Sequence, residues 1–279
     1  MVDLIRVNAI WHAVHSIHAG WSTPEQVYVS KHALHWNSDF AEVVTIHGSV
    51  HGLAADIAAP AALVHIETYG SRAAVTRVPT YVAAYTSLTG ASSEQLVAVY
   101  MAADTIKPAV PNSVFARAHS RLGWSPATQI QRSENGAATS IFVRSAQDVT
   151  HAVWIQSHSG ELSPDGWRTA VSRDHGRSWT PPRTIAREPM GLRSFGAAVH
   201  PADCMRVLYL TAQKGGANAL MRHWYISESS WTAGSGISLS NVGTIATAAD
   251  DTALYVVGLG AEAKKDTPMS SVFWLNVGR

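Results

Sequence analysis

The sequence predicts an all-β protein folded as a β-propeller of about six blades. Three observations lead there. A tryptophan-led segment returns at nearly constant spacing, each unit holds several short apolar runs broken by turn residues, and no stretch suits a long helix. The returns are Trp124–Ile130 (WSPATQI), Trp179–Ile185 (WTPPRTI) and Trp231–Ile237 (WTAGSGI), with tryptophans 55 and 52 residues apart. A weaker copy runs from Trp36 to Ile46.

The unit from 137 to 186 reads most clearly. Ser140–Arg144, His151–Ile155, Trp167–Ser172 and Arg183–Ile185 are each strand-like. Four short strands in about fifty residues make one propeller blade. Near the N-terminus, His12–Val14 parallels His151–Val153, and Val29–Ser30 parallels Val171–Ser172. The units then fall at about 1–46, 47–78, 79–132, 133–188, 189–238 and 239–279, within one domain spanning 1–279. The second is short, and the last lacks a fourth strand after Val272–Leu275. Val2–Val7 is expected to help close the ring, because pairing the two ends of the chain removes an exposed sheet edge. The alternatives are a β-sandwich or two small β domains.

Composition bounds the function. The 279 residues, 46% hydrophobic, can bury a core without covalent staples. A single cysteine, Cys204, excludes an intramolecular disulfide and a cysteine-based zinc site. The 21 basic and 20 acidic residues cancel, so neither nucleic acid nor an anionic membrane is expected as partner. The Ala-rich stretch Leu53–Leu63 is interrupted by Asp56 and Pro60 and is too short to span a bilayer. Asp3, Arg6 and three early histidines replace the plan of a signal peptide. The chain therefore reads as cytoplasmic, although a secreted chain with its signal removed would read the same.

Residues 172–179, SRDHGRSW, carry a resemblance. They match the Asp-box, S-x-D-x-G-x-[ST]-W, of the sialidase-like, BNR-repeat propellers at Ser172, Asp174, Gly176, Ser178 and Trp179. The resemblance implies a sialidase-like propeller with this box at the turn between the third and fourth strands of a blade, facing away from the ligand end. A second segment, Thr76–Pro79 (TRVP), stands ahead of the strand-like Tyr81–Tyr85; Gln95–Tyr100 and then Asp104 follow. It resembles the Arg-Ile-Pro motif that opens an innermost strand in sialidases. By that resemblance Arg77 would clamp a substrate carboxylate and Asp104 would be the acid/base. Arg193 is the best second arginine, ahead of Arg222. Glu67 and Tyr69, alternating on one side of a strand with His65, are the Glu/Tyr pair offered for nucleophile and partner.

Fourteen histidines are many for this length. His12, His15 and His18 split between the faces of a strand, and no HExxH pattern is present, so no metal or other cofactor is expected. His47 and His51 fall between units, where a funnel would be lined. Trp21 and Trp167, just ahead of the third strand of their units, are candidates for stacking on a sugar. Three functions follow. The first is a sialidase-like propeller holding a small polar, carboxylated ligand in its funnel and acting as a glycoside hydrolase. The second is an intracellular enzyme of small-molecule metabolism on a repurposed scaffold, with histidines as acid/base groups. The third is a non-catalytic lectin-like propeller.

Overall fold

A computed structural model describes residues 9–31, 34–35, 43–46, 48–56, 61–70, 72–80, 83–103, 113–132, 138–146, 148–157, 164–186, 192–200, 204–212, 218–226, 231–233, 237–240, 242–249, 254–264 and 267–276, with most side chains up to Ile185. Regular structure among them is entirely β.

The strands come in sheets that follow the chain. β1 (Ala9–His12), β2 (His15–Ser16), β3 (Gly20–Trp21) and β4 (Glu25–Val29) make an N-terminal hairpin, with β1 on β4 and β2 on β3. β5 (Leu34–His35), β6 (Val43–Ile46), β7 (Ser49–Asp56), β8 (Ala62–Tyr69) and β9 (Arg72–Pro79) form the second sheet. There β5 and β6 both pair β7, so together they act as one interrupted first strand. β10 (Ala83–Ser92), β11 (Gln95–Ala102), β12 (Ser113–Ser120), β13 (Gly123–Trp124) and β14 (Thr128–Arg132) form the third, with β13 and β14 sharing β12. The fourth is β15 (Ala138–Ala146), β16 (Val149–Ser157), β17 (Pro164–Ser172) and β18 (Arg183–Ala186), matching the four strands read from the sequence. β19 (Leu192–His200), β20 (Cys204–Ala212), β21 (Asn218–Ile226), β22 (Trp231–Ala233) and β23 (Ile237–Ser240) make the fifth. β24 (Val242–Ala249), β25 (Leu254–Lys264) and β26 (Thr267–Asn276) make the sixth, three-stranded among the described residues.

First strands stack on first strands: β10 on β5 and β6 (and on β7 behind them), β15 on β10, β19 on β15, and β24 on β19. They form the inner line of a propeller-type fold. The expected break between residues 46 and 47 falls inside a hairpin, because β6 pairs β7. Val2–Val7 lies outside the described residues.

Strand β11 shows why these sheets pack. Leu96, Ala98, Tyr100 and Ala102 pack with Leu53, Ala55 and Leu63 of the second sheet, whereas Val97, Val99 and Met101 pack with Ile141, Val143 and Trp154 of the fourth. All seven β11 residues are at most 1% exposed. A strand covered on both faces reads as an unbroken apolar run, which is why QLVAVYMA shows no alternation. Each such aliphatic side chain contributes about 1.5–3 kcal/mol by leaving water.

The same pair of hydrogen bonds closes three turns. Ser22 N–H donates to the Val14 carbonyl and its Oγ accepts from Val14 N–H, at 2.7 and 2.9 Å. Ser125 does this with Ala118 at 2.8 and 3.0 Å, and Thr180 with Val171 at 2.8 and 3.0 Å. The tryptophans just before them are therefore equivalent, so the N-terminal partner of Trp124 and Trp179 is Trp21. Trp36, the copy expected from the sequence, lies outside the described residues. The parallel between His12 and His151 also fails: His12 faces Glu25, whereas His151 faces Val171.

Residues 172–179 form the turn between the third and fourth strands of their sheet, as expected. Ser172 Oγ accepts from Gly176 N–H at 2.8 Å, and Asp174 Oδ1 accepts from Ser178 N–H at 2.8 Å. Burial opposes the Asp174 charge, but bonds from the Ser178 side chain and backbone, Ser172 and Arg177 N–H outweigh it and hold the carboxyl below its ordinary range. Gly176 has φ +84°, and a Cβ there would lie 2.8 Å from both Val97 methyls. Trp179 donates Nε1–H to the Gly176 carbonyl at 3.1 Å and packs on the core between the third and fourth sheets.

Candidate functional site

One irregularity recurs along the inner line. In β10, Ala84 faces Met101 and Thr86 faces Tyr100, leaving Tyr85 as an extra residue. Ser140 is extra in β15, Arg193 in β19 and Gly243 in β24. Each is a β-bulge within the first three residues of a first strand; three of them face the last residues of the second strand, and the one in β24 faces Leu259 and Gly260, midway along β25. In the second sheet the interruption between β5 and β6 falls at the corresponding place. Tyr85 has φ +47°, a conformation that costs a non-glycine residue about 1–3 kcal/mol. Strands run antiparallel, so these bulges mark the end of the molecule opposite the Ser172–Trp179 turn. Bulges bend a strand and re-aim its side chains, and they concentrate beside functional sites.

Arg193 thus belongs to the inner line, where the sequence placed it. Arg77 does not. It lies in β9, the fourth strand of its sheet, rather than opening an innermost one. Its Nη1 donates to Asp56 Oδ2 at 2.8 Å and to the Tyr28 hydroxyl. Asp56, 1% exposed, also accepts from Tyr28 and, through Oδ1, from Ser30 at 2.9 Å. Burial, then the bond and charge of Asp56, push the Tyr28 hydroxyl pKa up, with Arg77 opposing. The carboxylate that Arg77 holds is therefore the protein's own, joining the N-terminal hairpin to the second sheet. The expected substrate clamp is corrected accordingly.

Glu67 and Tyr69 lie at the other end of the same sheet. Arg77 faces Val64, and Tyr69 faces Arg72. Three residues of strand, about 10 Å, separate the Arg77 position from Glu67 and five, about 17 Å, from Tyr69, and both odd offsets put Arg77 on the opposite face of the sheet. The Glu/Tyr pair and Arg77 therefore cannot meet one small substrate. Tyr69 is 65% exposed.

Glu67 instead borders a histidine cluster. His51 Nδ1 lies 3.2 Å from His65 Nε2 with the rings parallel, and His119 sits 4.9 Å from the His65 centroid. The Trp124 ring meets His65 edge-on at 5.2 Å. A cavity of about 430 Å3 opens beside them, lined by His51, Glu67, Glu94, His119 and Arg121. Burial first, then its two histidine neighbours, pushes His65 down to about 3. Burial also lowers His51, against the pull of Glu67, and lowers His119, with His51 adding and Glu67 opposing. At about 3, the His65 imidazole is neutral at pH 7. The three rings pack the second sheet against the third, and His51 also lines the cavity beside them. His119 was missed in the sequence because nothing local ties it to His51 and His65. Among the described residues, no three His, Cys, Asp or Glu are placed to hold a metal ion.

Two more expectations change. Trp167 is 2% exposed and opposite Ile155, so it is a core residue. Trp21 is 71% exposed but lies at the same end as the Ser172–Trp179 turn, away from the bulges. Asp104 and His47 lie outside the described residues.

No protein-family model and no curated protein sequence matches the chain. Solved structures do match in fold. An ulvan lyase from a new family of polysaccharide lyases, bound to -[GlcA(1-4)Rha3S]-, is similar with TM-score 0.61 at 12% identity, over 92% of this chain and 69% of that one. The endosialidase of phage phi92 is similar with TM-score 0.58 at 10% identity, over 94% and 61%. A mutant of the Aleuria aurantia lectin, in complex with α-methyl-L-fucoside, is similar with TM-score 0.53 at 11% identity, over 86% and 77%. The chain thus spans about three-fifths of the endosialidase. These neighbours are propeller-type proteins that act on or bind glycans, and at such identities the likeness is one of fold.

Proposed function

We propose that this is a carbohydrate-recognising, sialidase-like propeller whose ligand, a carboxylated glycan unit, sits where the first strands begin. The recurring bulge supports this reading most. Four consecutive first strands give up regular pairing near their start, and at Tyr85 a left-handed backbone is kept as well. Among Tyr85, Ser140, Arg193 and Gly243, Arg193 carries the only charge, and a guanidinium fork suits a carboxylate. The glycan-related neighbours of the same fold agree with the ligand class. Hydrolysis through Asp104 is the further step that the sequence resemblance implies.

Binding to an array of acidic and neutral oligosaccharides tests the proposal. Arg193→Ala and Ser140→Trp are each expected to weaken acidic-glycan binding at least about tenfold. Unchanged binding in both variants, or a preference for neutral glycans, overturns it. A fluorogenic sialoside cleaved by the wild type and not by Asp104→Ala would extend the reading to catalysis.

A further inference from the structure

A separate cavity of about 400 Å3 lies between the second and third sheets, lined by Pro79, Thr80, Tyr100, Phe115, Arg117 and Ala127, with Ala103 also on its wall. Its volume is that of a small-molecule site. The Tyr100 and Phe115 rings stack with centroids 5.9 Å apart and planes 21° from parallel, giving an aromatic wall. Tyr100 is 1% exposed, so it backs the wall and Phe115 presents it.

Arg117 is the charged group of this cavity. Its Nε donates to the Tyr100 hydroxyl at 3.2 Å, Nη1 to the Ser125 carbonyl at 2.7 Å, and Nη2 to the Pro79 carbonyl at 3.4 Å. No carboxylate neutralises it among the described residues. A guanidinium has five N–H donors, so among the described residues one on each terminal nitrogen has no acceptor. The cavity therefore joins an apolar ring-binding wall to a fixed positive charge and spare donors. Arg77, by contrast, has its charge answered by Asp56.

We propose that this cavity binds a carboxylate carried on a ring, with the ring against Phe115 and the carboxylate on Arg117. It is independent of the site where the first strands begin. A sugar acid and an aromatic acid share this chemistry, and the test separates them. Titration calorimetry and saturation-transfer NMR would be run on the full chain with D-glucuronate, benzoate and methyl glucoside. Ala127 is exposed at the rim, so Ala127→Phe fills the mouth without disturbing the core. Arg117→Met removes the charge, and Ala127→Phe stands in for it if that variant does not fold.

Saturable binding of glucuronate alone would identify a sugar-acid site, and binding of benzoate alone an aromatic-acid site; either supports the proposal. Both variants are expected to weaken the acid at least about tenfold. Arg193→Ala, which tests the other site, is expected to leave it unchanged. Binding of neither acid, equal binding of methyl glucoside, or unchanged affinity in Ala127→Phe each overturns the proposal.

Discussion

Three turns share one local structure and differ in what surrounds their tryptophan. Trp21, Trp124 and Trp179 each precede a Ser or Thr that makes the same two backbone bonds. Trp21 is 71% exposed, Trp124 meets the histidine cluster edge-on, and Trp179 packs on an aliphatic core. The turn is thus a local device, stable through its hydroxyl and backbone. What the tryptophan contributes depends on the neighbouring sheet.

Replacing the tryptophans should give the largest contrast. Trp179→Ala is expected to cost about 3 kcal/mol in urea unfolding, because it empties space against a packed core. Trp21→Ala should cost less than about 0.5 kcal/mol, as at an ordinary exposed position. Equal losses would break the comparison.

Acid should then single out the Trp124 surroundings. His65 is held at about 3 in the fold against an ordinary value of 6.5, so unfolding takes up a proton between the two. Its contribution is whole above pH 6.5 and is lost as pH falls toward 3, amounting to about 2 kcal/mol by pH 5. His51 and His119, lowered in the same sense, add to the slope, and Glu67 opposes it. His65→Leu should flatten unfolding midpoints measured from pH 7.5 to 5. Asp174, held below its ordinary range, contributes fully until below about pH 4 and should not affect that window. An unchanged slope in His65→Leu would remove the cluster as its cause.

The smallest effect tests the shared part. Ser22→Ala and Thr180→Val should each cost about 1 kcal/mol, because each leaves one backbone N–H without its hydroxyl acceptor. Similar values at the exposed and the packed turn would confirm that the motif acts locally.

Much of the fold was legible in the sequence because its signals are local. Four apolar runs between 137 and 186 became four strands, and the complete SRDHGRSW segment became a hydrogen-bonded turn at its expected place. The site was less legible. Arg77 could be picked out, but Asp56, 21 residues earlier, is what its charge answers. A bulge is defined by its partner strand, so Tyr85, Ser140 and Gly243 carry no signature of their own. The sequence put Arg193 at the head of a strand, and the bulge there emerged only from the pairing of β19 with β20.

By itself, then, the sequence determined the β class, the repeating turns and the charges available. Backbone geometry at Gly, Pro and Ser or Thr is set by near neighbours, and apolar runs commit to strands within a few residues. Only the tertiary structure decided which cations stay unanswered by a carboxylate, which histidines lose their charge and which tryptophan meets water. Those outcomes depend on residues far apart in the chain that meet only when the sheets stack, as Asp56 meets Arg77 and His119 meets His65.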